Sequence, residues 1–244
     1  MRPRRTARLL VTAALIALAA GAARAADCPA VPQAHIPAPP PPPLNIDIVK
    51  KALRNYQQGD YAADLAAVYA VARGYVEARA GTASKPAIVL DIDETSLSNW
   101  PNIDADDFGF IPGGPCTLEM GLPCGFNAWV ARGDAAAIRP ALDFFNAAKA
   151  KNVAAVFITA RKESQRTITE LNLRHAGFDG WAKLVLKPDG DMSSAQAYKT
   201  AAREKLEKED KYTIIANVGD QLSDLAGGSA ECTFKLPNPF YFIP

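Results

Sequence analysis

The chain has 244 residues, with 27 Lys and Arg, 26 Asp and Glu, and a formal net charge of +1. This length is sufficient for one α/β domain with a substantial core. The first 25 residues contain five arginines and no acidic residue, so the remainder carries 22 basic against 26 acidic residues. A mildly acidic chain without a basic block lacks the charge pattern of proteins that bind nucleic acids through phosphate contacts.

Residues 1–25 have the pattern of a signal peptide. Four arginines precede an apolar stretch at residues 9–20, and Ala23-Arg24-Ala25 follows as an A-x-A cleavage pattern. The apolar stretch is shorter than the about 20 residues that a membrane-spanning helix needs. We therefore expect cleavage near Ala25 and a periplasmic or secreted product without a stable membrane span.

A proline-rich segment, residues 26–44, comes next and is densest in proline from Pro37 to Pro43. Such a run cannot form a helix or a central strand, and it predicts an extended tail or linker. The apolar periodicity of residues 45–79 then predicts two helices that are separated at Gly59. We expect these helices to form a supporting layer of one domain, residues 45–244, ahead of its first catalytic strand.

The apolar run at residues 87–90 predicts a strand that is buried on both faces of a parallel sheet. This strand leads directly to Asp91 and Asp93 and then into a polar turn, to which Glu94 belongs. Ligands of such sheets bind beyond the carboxyl ends of the strands. Two carboxylates at this position predict a cleft in which one attacks a substrate and the other moves protons.

A long irregular insertion, residues 97–137, follows the first strand. Its aromatic residues are Trp100, Phe108, Phe110, Phe126 and Trp129. A loop of this length inside a compact domain is usually functional. Two interpretations stay open: these side chains stack on an aromatic leaving group, or they form the small core of the insertion itself.

The four cysteines of the chain are Cys28, Cys116, Cys124 and Cys232. An even number of cysteines in an exported chain suggests disulfides, and three pairings are open. We favour Cys116–Cys124, which closes a short loop, and Cys28–Cys232, which ties the N-terminal tail to a late strand. Free, buried cysteines are the alternative. Zinc is not favoured, because the chain has no CxxC motif and its two histidines are far apart.

Strands and helices alternate regularly after the insertion. This alternation predicts a Rossmann-like parallel sheet with helices on both faces, which is an α/β fold. The predicted helices are residues 140–151, 163–176 and 194–208, and the predicted strands are residues 153–158, 183–186, 213–218 and 233–236.

Three further motifs accompany the first aspartate pair. One apolar run ends at Thr159, Lys199 lies near the start of a predicted helix, and another apolar run ends in a second pair, Asp220 and Asp224. Asp-Ile-Asp-Glu-Thr, Ile-Thr-Ala-Arg and Gly-Asp-Gln-Leu-Ser-Asp together resemble the haloacid dehalogenase (HAD) superfamily. They are most similar to its acid phosphatases with four aspartates, namely the class B and class C bacterial enzymes and the plant vegetative storage proteins. Class C is the closest of these. The resemblance implies a HAD-like fold whose small helical and irregular cap is the insertion.

The two residues that we expect to carry the chemistry are Asp91 and Asp93. Asp91 is the expected nucleophile, because a carboxylate can attack phosphorus and form an aspartyl-phosphate. Asp93 is the expected general acid and base, and we expect a neighbouring carboxylate to raise its pKa for that purpose.

A phosphate dianion among aspartates needs a cation, and hard carboxylate oxygens favour Mg²⁺. The resemblance implies that the metal ligands are Asp91, the backbone carbonyl of Asp93, and Asp220. Asp224 would orient a metal-bound water or pair with the lysine, which places all four aspartates in the metal site.

Thr159 and Lys199 are the expected phosphate-binding residues. The threonine hydroxyl would bind phosphoryl oxygens together with N–H groups of the following helix, and the lysine would neutralise charge on the transferred group. Lys187, at the end of another predicted strand, is the alternative to Lys199. Arg161 and Arg203 are further candidates for contact with the phosphate.

The sequence therefore predicts an exported, Mg²⁺-dependent acid phosphatase that acts on small phosphate monoesters, with 5′-nucleotides as one candidate class. It predicts no nucleic-acid partner and leaves homo-oligomerisation open. The alternative is a non-catalytic or weakly active storage or binding protein on the same fold. A phosphoacceptor signalling domain is less consistent with an export signal and two separated aspartate pairs.

Overall fold

A sheet of five parallel strands forms the centre of the protein in a computed structural model that describes residues 27–243. The predicted signal peptide, residues 1–25, lies outside the described residues. The strand order is β5-β4-β1-β6-β7. The strands are β1 Pro86–Leu90, β4 Ala154–Lys162, β5 Lys183–Lys187, β6 Thr213–Gly219 and β7 Cys232–Lys235.

The central strand, β1, is buried on both of its faces, as its apolar sequence predicts. Ile88 and Leu90 pack into one side of the core, and Val89 packs into the other. β1 pairs in parallel with β4 on one side and β6 on the other. The carboxyl ends of these three strands, which carry the aspartate and threonine motifs, therefore meet at one edge of the sheet.

Helices cover both faces of the sheet, which confirms the predicted α/β fold. The helices are α1 Ile46–Gln58, α2 Tyr61–Arg79, α5 Arg139–Ala150, α6 Arg166–His175, α7 Ala195–Lys208 and the short α8 Leu222–Leu225. Apolar residues of α2 and α5 pack with Ile88 and Leu90, whereas Tyr198 and Leu206 of α7 pack against the opposite face. No helix of residues 27–243 is both long enough and apolar enough to span a membrane.

The insertion is a small subdomain that begins and ends on a two-stranded antiparallel sheet. Its elements are β2 Leu97–Ser98, α3 Trp100–Ala105, a 3-10 turn at Leu118–Met120, α4 Phe126–Arg132 and β3 Ala136–Ala137. Trp100 and Phe108 pack together against Phe240 near the C-terminus, and Trp129 is buried. These contacts support the interpretation of the aromatic residues as core, although Phe110 is 73% exposed.

The N-terminal tail, residues 27–44, contains no helix or strand but is attached to the domain at two points. The disulfide Cys28–Cys232 joins it to β7, and His35 contacts Asp64 of α2. Cys116–Cys124 forms the second disulfide, so both favoured pairs are present in the structure.

Candidate active site

Asp91 lies directly beyond the carboxyl end of β1, at the edge of the sheet where the motifs meet. Its backbone N–H donates to the Val218 carbonyl of β6 (3.1 Å), and its carbonyl accepts from the Ser96 hydroxyl (2.6 Å). Glu94 forms the turn that follows, with a φ of 53°. These contacts fix the backbone of Asp91 while its side chain, which is 7% exposed, points into the cluster of aspartates.

Lys199 connects the two aspartate pairs. Its Nζ lies 2.5 Å from Asp91 Oδ1 and 2.6 Å from Asp224 Oδ1. Burial raises the pKa of Asp91 well above its ordinary value; Lys199 opposes this shift, and Asp224, Asp220 and Asp93 add to it. Lys187, the alternative lysine, donates instead to the Ser193 carbonyl. The structure thus brings Lys199, and not Lys187, to the aspartates.

Asp224 approaches the sheet so closely that only glycine fits below it. A Cβ added to Gly219 would lie 2.4 Å from the Asp224 Cβ. The backbone of Asp224 is held from behind, because its carbonyl accepts from Arg203 (2.6 Å) and from Asn217 (3.0 Å). Arg203 also donates to the carbonyls of Ala226 and Gly228. This arginine therefore holds the loop that carries Asp224, and its donors are directed to backbone carbonyls rather than to a phosphate.

Asp220 follows β6 and is almost fully buried. Its Oδ2 accepts from the side chains of Gln221 (2.7 Å), Asn238 (2.7 Å) and Tyr241 (3.3 Å), and its Oδ1 accepts from the Thr95 hydroxyl (3.1 Å). Burial and the charge of Asp224 raise the pKa of Asp220 to about 6. Asn238 and Tyr241 were not among the predicted site residues.

Asp93 is paired with Arg161 rather than with another carboxylate. Arg161 Nη2 lies 2.7 Å and Nε 3.1 Å from Asp93 Oδ1, and Asn99 Nδ2 donates to the same oxygen (2.9 Å). Burial raises the pKa of Asp93, but the charge and hydrogen bonds of Arg161 outweigh burial, so the net shift is downward. The expectation of a raised pKa at Asp93 was wrong, because the charged group beside Asp93 is the guanidinium of Arg161 and not a carboxylate.

Asn99 links Asp93 to the insertion. Its backbone and side-chain N–H groups donate to Glu94 (2.6 and 2.8 Å), and its Oδ1 accepts from the indole N–H of Trp129 (2.8 Å). Trp129 is 3% exposed, so this ring supports the site from within the insertion and offers no face for stacking. The Glu94 carboxyl is buried with Asn99, and burial raises its pKa well above its ordinary value.

Thr159 is fully buried near the end of β4 and accepts a hydrogen bond from the backbone N–H of Arg161 (3.1 Å). The register pairs Phe157 with Leu90, so Thr159 lies at the same edge of the sheet as Asp91. β4 continues to Lys162, and a 3-10 turn, Glu163–Gln165, precedes α6. The predicted start of this helix at residue 163 was therefore three residues too early.

The charges of this site are unbalanced. In the described part of the chain, two cations contact three of the five carboxylates: Lys199 bonds Asp91 and Asp224, Arg161 bonds Asp93, and Asp220 and Glu94 have no cationic contact. Asp91, Asp220 and Asp224 can each offer an oxygen within 4.8 Å of the others. Because like charges in a buried site repel one another, this all-oxygen donor set fits a hard divalent cation.

A family model described as HAD superfamily, subfamily IIIB (acid phosphatase), matches residues 44–244. The chain belongs to this family. The predicted family resemblance is thereby confirmed, and the match includes all the motifs on which it was based.

Plant proteins are among the relatives of this family member. The stem 28 kDa glycoprotein of Glycine max is 38% identical over 65% of the chain, and acid phosphatase 1 of Solanum lycopersicum is 36% identical over 64%. Vegetative storage protein 1 of Arabidopsis thaliana is 29% identical over 64%. The matched regions span 61%, 58% and 55% of those proteins, which is less than two thirds of their lengths.

A class C acid phosphatase from Bacillus anthracis shares the fold of this family member. The TM-score is 0.62 with 23% sequence identity, and the match covers 81% of this chain and 86% of the bacterial one. This likeness supports the HAD-like α/β architecture that the strand order shows.

Proposed function

We propose that this protein is an exported, Mg²⁺-dependent acid phosphatase that hydrolyses small phosphate monoesters through an aspartyl-phosphate on Asp91. The observation that carries the proposal is the position of the Asp91 carboxylate. It lies beyond the central strand, beside Lys199 and within reach of two further aspartates. Membership of an acid phosphatase family and the tomato relative's name support the same activity.

In this proposal, Asp91 Oδ attacks phosphorus and the bond between phosphorus and the leaving oxygen breaks. Splitting the hydrolysis into two displacements lowers the barrier of each. Lys199 neutralises the charge of the phosphoryl group, and the Thr159 hydroxyl donates to one of its oxygens. Arg161 Nη1 has no hydrogen-bond partner within residues 27–243, and we assign it to a second phosphoryl oxygen.

The residues that would hold the cation are Asp91, the backbone carbonyl of Asp93, Asp220 and Asp224. When bound, Mg²⁺ would neutralise negative charge shared by the aspartates and the phosphate. Lys199 is shared by Asp91 and Asp224, and Asp220 and Glu94 have no cationic contact among the described residues, so the residues of the site support a divalent cation.

Asp93 is the proposed general acid and base. It would protonate the leaving oxygen in the first displacement and take a proton from water in the second. Arg161 favours the ionised form of Asp93, which suits its role as base, and it moves to lower pH the range in which the protonated form needed as acid becomes populated. This direction is consistent with an acid phosphatase.

Export is supported by the signal pattern of residues 1–25 and by two disulfides, which persist in oxidising compartments. Small monoesters are the proposed substrates, with 5′-nucleotides as a class to be tested. A storage protein is the second candidate, favoured by the vegetative storage relatives.

Replacement of the nucleophile separates the two candidates. Asp91→Asn should lower hydrolysis of p-nitrophenyl phosphate by at least about 10³-fold, since an amide cannot form the acyl-phosphate. Asp64→Asn is the matched control, because Asp64 is also buried but lies on α2 outside the cluster. Full activity of Asp91→Asn would refute the nucleophile, and inactivity of the wild-type protein across monoesters, pH and Mg²⁺ would favour storage.

A further inference from the structure

The C-terminal segment, residues 236–243, crosses the protein beside the aspartates. Leu236 N–H donates to the Gly219 carbonyl (2.9 Å), and Ile243 N–H donates to Gln221 Oε1 (3.1 Å). Between these two points, the ring of Phe240 is 4% exposed and packs against Tyr61 and Trp100. The segment is therefore attached to the site at both ends and anchored by an aromatic ring in the middle.

Two side chains of this segment reach the same oxygen of Asp220. Asn238 Nδ2 donates to Oδ2 at 2.7 Å and Tyr241 Oη donates to it at 3.3 Å. The Asn238 amide has one consistent orientation, because its Oδ1 accepts from the backbone N–H of Phe240 (2.9 Å) and its Nδ2 must then face the carboxylate. Gln221 Nε2 supplies a third donor to Oδ2 at 2.7 Å.

These donors leave the two oxygens of Asp220 unequal. Three donors surround Oδ2, whereas the Thr95 hydroxyl is the donor to Oδ1. Oδ2 is thereby occupied by the protein and fixes the plane of the carboxylate. Oδ1 accepts one hydrogen bond from the described residues, so it is the oxygen with a lone pair left for a ligand shared with Asp91 and Asp224. Ligating carboxylates are commonly held in this way by hydrogen bonds from an outer shell, which set their orientation.

We propose that residues 236–243 are part of the metal site, in which Asn238 and Tyr241 position Asp220 so that Oδ1 alone ligates the divalent cation. The proposal rests on the metal-dependent function above and adds to it a structural device that selects single-oxygen coordination. Mg²⁺ requires near-octahedral geometry and tolerates distorted carboxylates poorly. A rotated Asp220 would therefore bind Mg²⁺ more weakly.

Direct measurement of Mg²⁺ binding tests this inference. In isothermal titration calorimetry with Mg²⁺ on the full chain, Asn238→Leu should weaken binding by about 10–100-fold, the usual effect of losing an outer-shell partner. Tyr241→Phe should weaken it less, because its hydrogen bond is longer. At saturating Mg²⁺, Asn238→Leu should regain most of its p-nitrophenyl phosphate turnover, since the residue acts only by positioning a ligand.

Matched controls distinguish positioning from general loss of stability. Asn172→Leu removes a buried amide that donates to the Ala135 carbonyl (2.7 Å), and Tyr75→Phe removes a hydroxyl that donates to Glu231 (3.1 Å). Both should lower the melting temperature and leave Mg²⁺ affinity unchanged.

The outcomes separate this inference from the proposed function. Unchanged affinity in Asn238→Leu, beside a wild-type protein that binds Mg²⁺, would overturn the role of the C-terminal segment and leave the phosphatase intact. Absence of Mg²⁺ binding by the wild-type protein would instead overturn both.

Discussion

Asp64 on α2 and the aspartates at the edge of the sheet are similarly buried, but their surroundings shift carboxyl pKa values in opposite directions. Asp64 on α2 and Asp224 after β6 are each 4% exposed. Asp64 accepts from the backbone N–H of His35 (2.6 Å), the His35 ring (2.5 Å) and the Tyr56 hydroxyl (2.7 Å). Burial raises the pKa of Asp64, but these hydrogen bonds outweigh it and the net shift is downward. The Asp64 centre is therefore satisfied by its own neighbours.

The aspartate cluster at the edge of the sheet, formed by Asp91, Asp93, Asp220 and Asp224, differs because its neighbours do not balance its charge. Burial and the surrounding carboxylates raise the pKa values of Asp91 and Asp220, and Lys199 offsets only part of this effect. The contrast shows that burial of an aspartate does not identify a functional site. The informative feature is surplus charge of one sign, which requires a ligand of the opposite sign and points to the sheet edge rather than to α2.

Removal of the shared lysine should have the largest effect on stability. Lys199→Met leaves Asp91 and Asp224 buried without a cation, which should lower the free energy of unfolding by about 3–5 kcal/mol in metal-free protein. Urea unfolding in EDTA and in Mg²⁺ measures the loss, which Mg²⁺ should reduce. Lys183→Met, which breaks the partly exposed pair with Asp210, is the control and should cost less than about 1 kcal/mol. Equal losses in the two variants would contradict the comparison.

Substitution of Asp220, which has no cationic contact, should have the opposite effect on the stability of metal-free protein. Asp220→Asn removes one like charge from the cluster, and its amide oxygen can still accept from Gln221 and Asn238, so metal-free protein should become more stable by roughly 1–3 kcal/mol, the scale of carboxylate repulsion in a buried site. Mg²⁺ should no longer raise its melting temperature. Asp64→Asn should instead destabilise the protein, because it removes the charge that pairs with His35. If both substitutions destabilise metal-free protein, the charge surplus is not the distinguishing feature.

The hydrogen bonds from Trp129 to Asn99 and from Asn99 to Asp93 should have the next largest effect, which is on activity. Trp129→Phe removes the indole donor to Asn99 and should lower turnover of alkyl phosphates by about 10-fold, because poor leaving groups need a well-positioned acid. Turnover of p-nitrophenyl phosphate should change less. Trp181→Phe, which alters a ring packed on Phe157 away from the cluster, is the control. Equal losses on both substrates would indicate a structural role only.

Much of the cluster could be predicted from the sequence because parallel-sheet geometry constrains it strongly. An apolar strand fixes where Asp91 lies, and pairing of β1 with β4 and β6 brings Thr159 and Asp220 to the same edge. The family resemblance supplied Lys199, which contacts both Asp91 and Asp224.

Residues that act through loops could not be predicted in this way. Trp129 is 30 positions from Asn99, and Asn238 is 18 positions from Asp220. No periodicity sets the path of the chain between them. The pKa of Asp93 was also wrongly predicted, because it depends on the direction of the Arg161 side chain, which the sequence pattern does not set.

The smallest expected effect concerns the contact between His35 and Asp64, whose contribution to stability should depend on pH. The hydrogen bond and charge of Asp64 raise the pKa of His35 above 6.5, so its contribution is complete below that value and is lost as the pH rises through the folded-state pKa. The pKa of Asp64 is lowered below 3.8, so its contribution is present above that value and is lost in stronger acid. The pair should therefore stabilise the tail most between these limits.

His35→Gln tests this window. Its urea midpoint should fall below that of the wild-type protein at pH 5, whereas the two midpoints should converge well above pH 6.5, where His35 loses its charge. His175→Gln changes an exposed histidine on α6 and is the control. A deficit in His35→Gln that is the same at both pH values would mean that the ring acts as a neutral contact. The contact between His35 and Asp64 would then differ from the aspartate cluster, because its contribution to stability would not depend on the charge of His35.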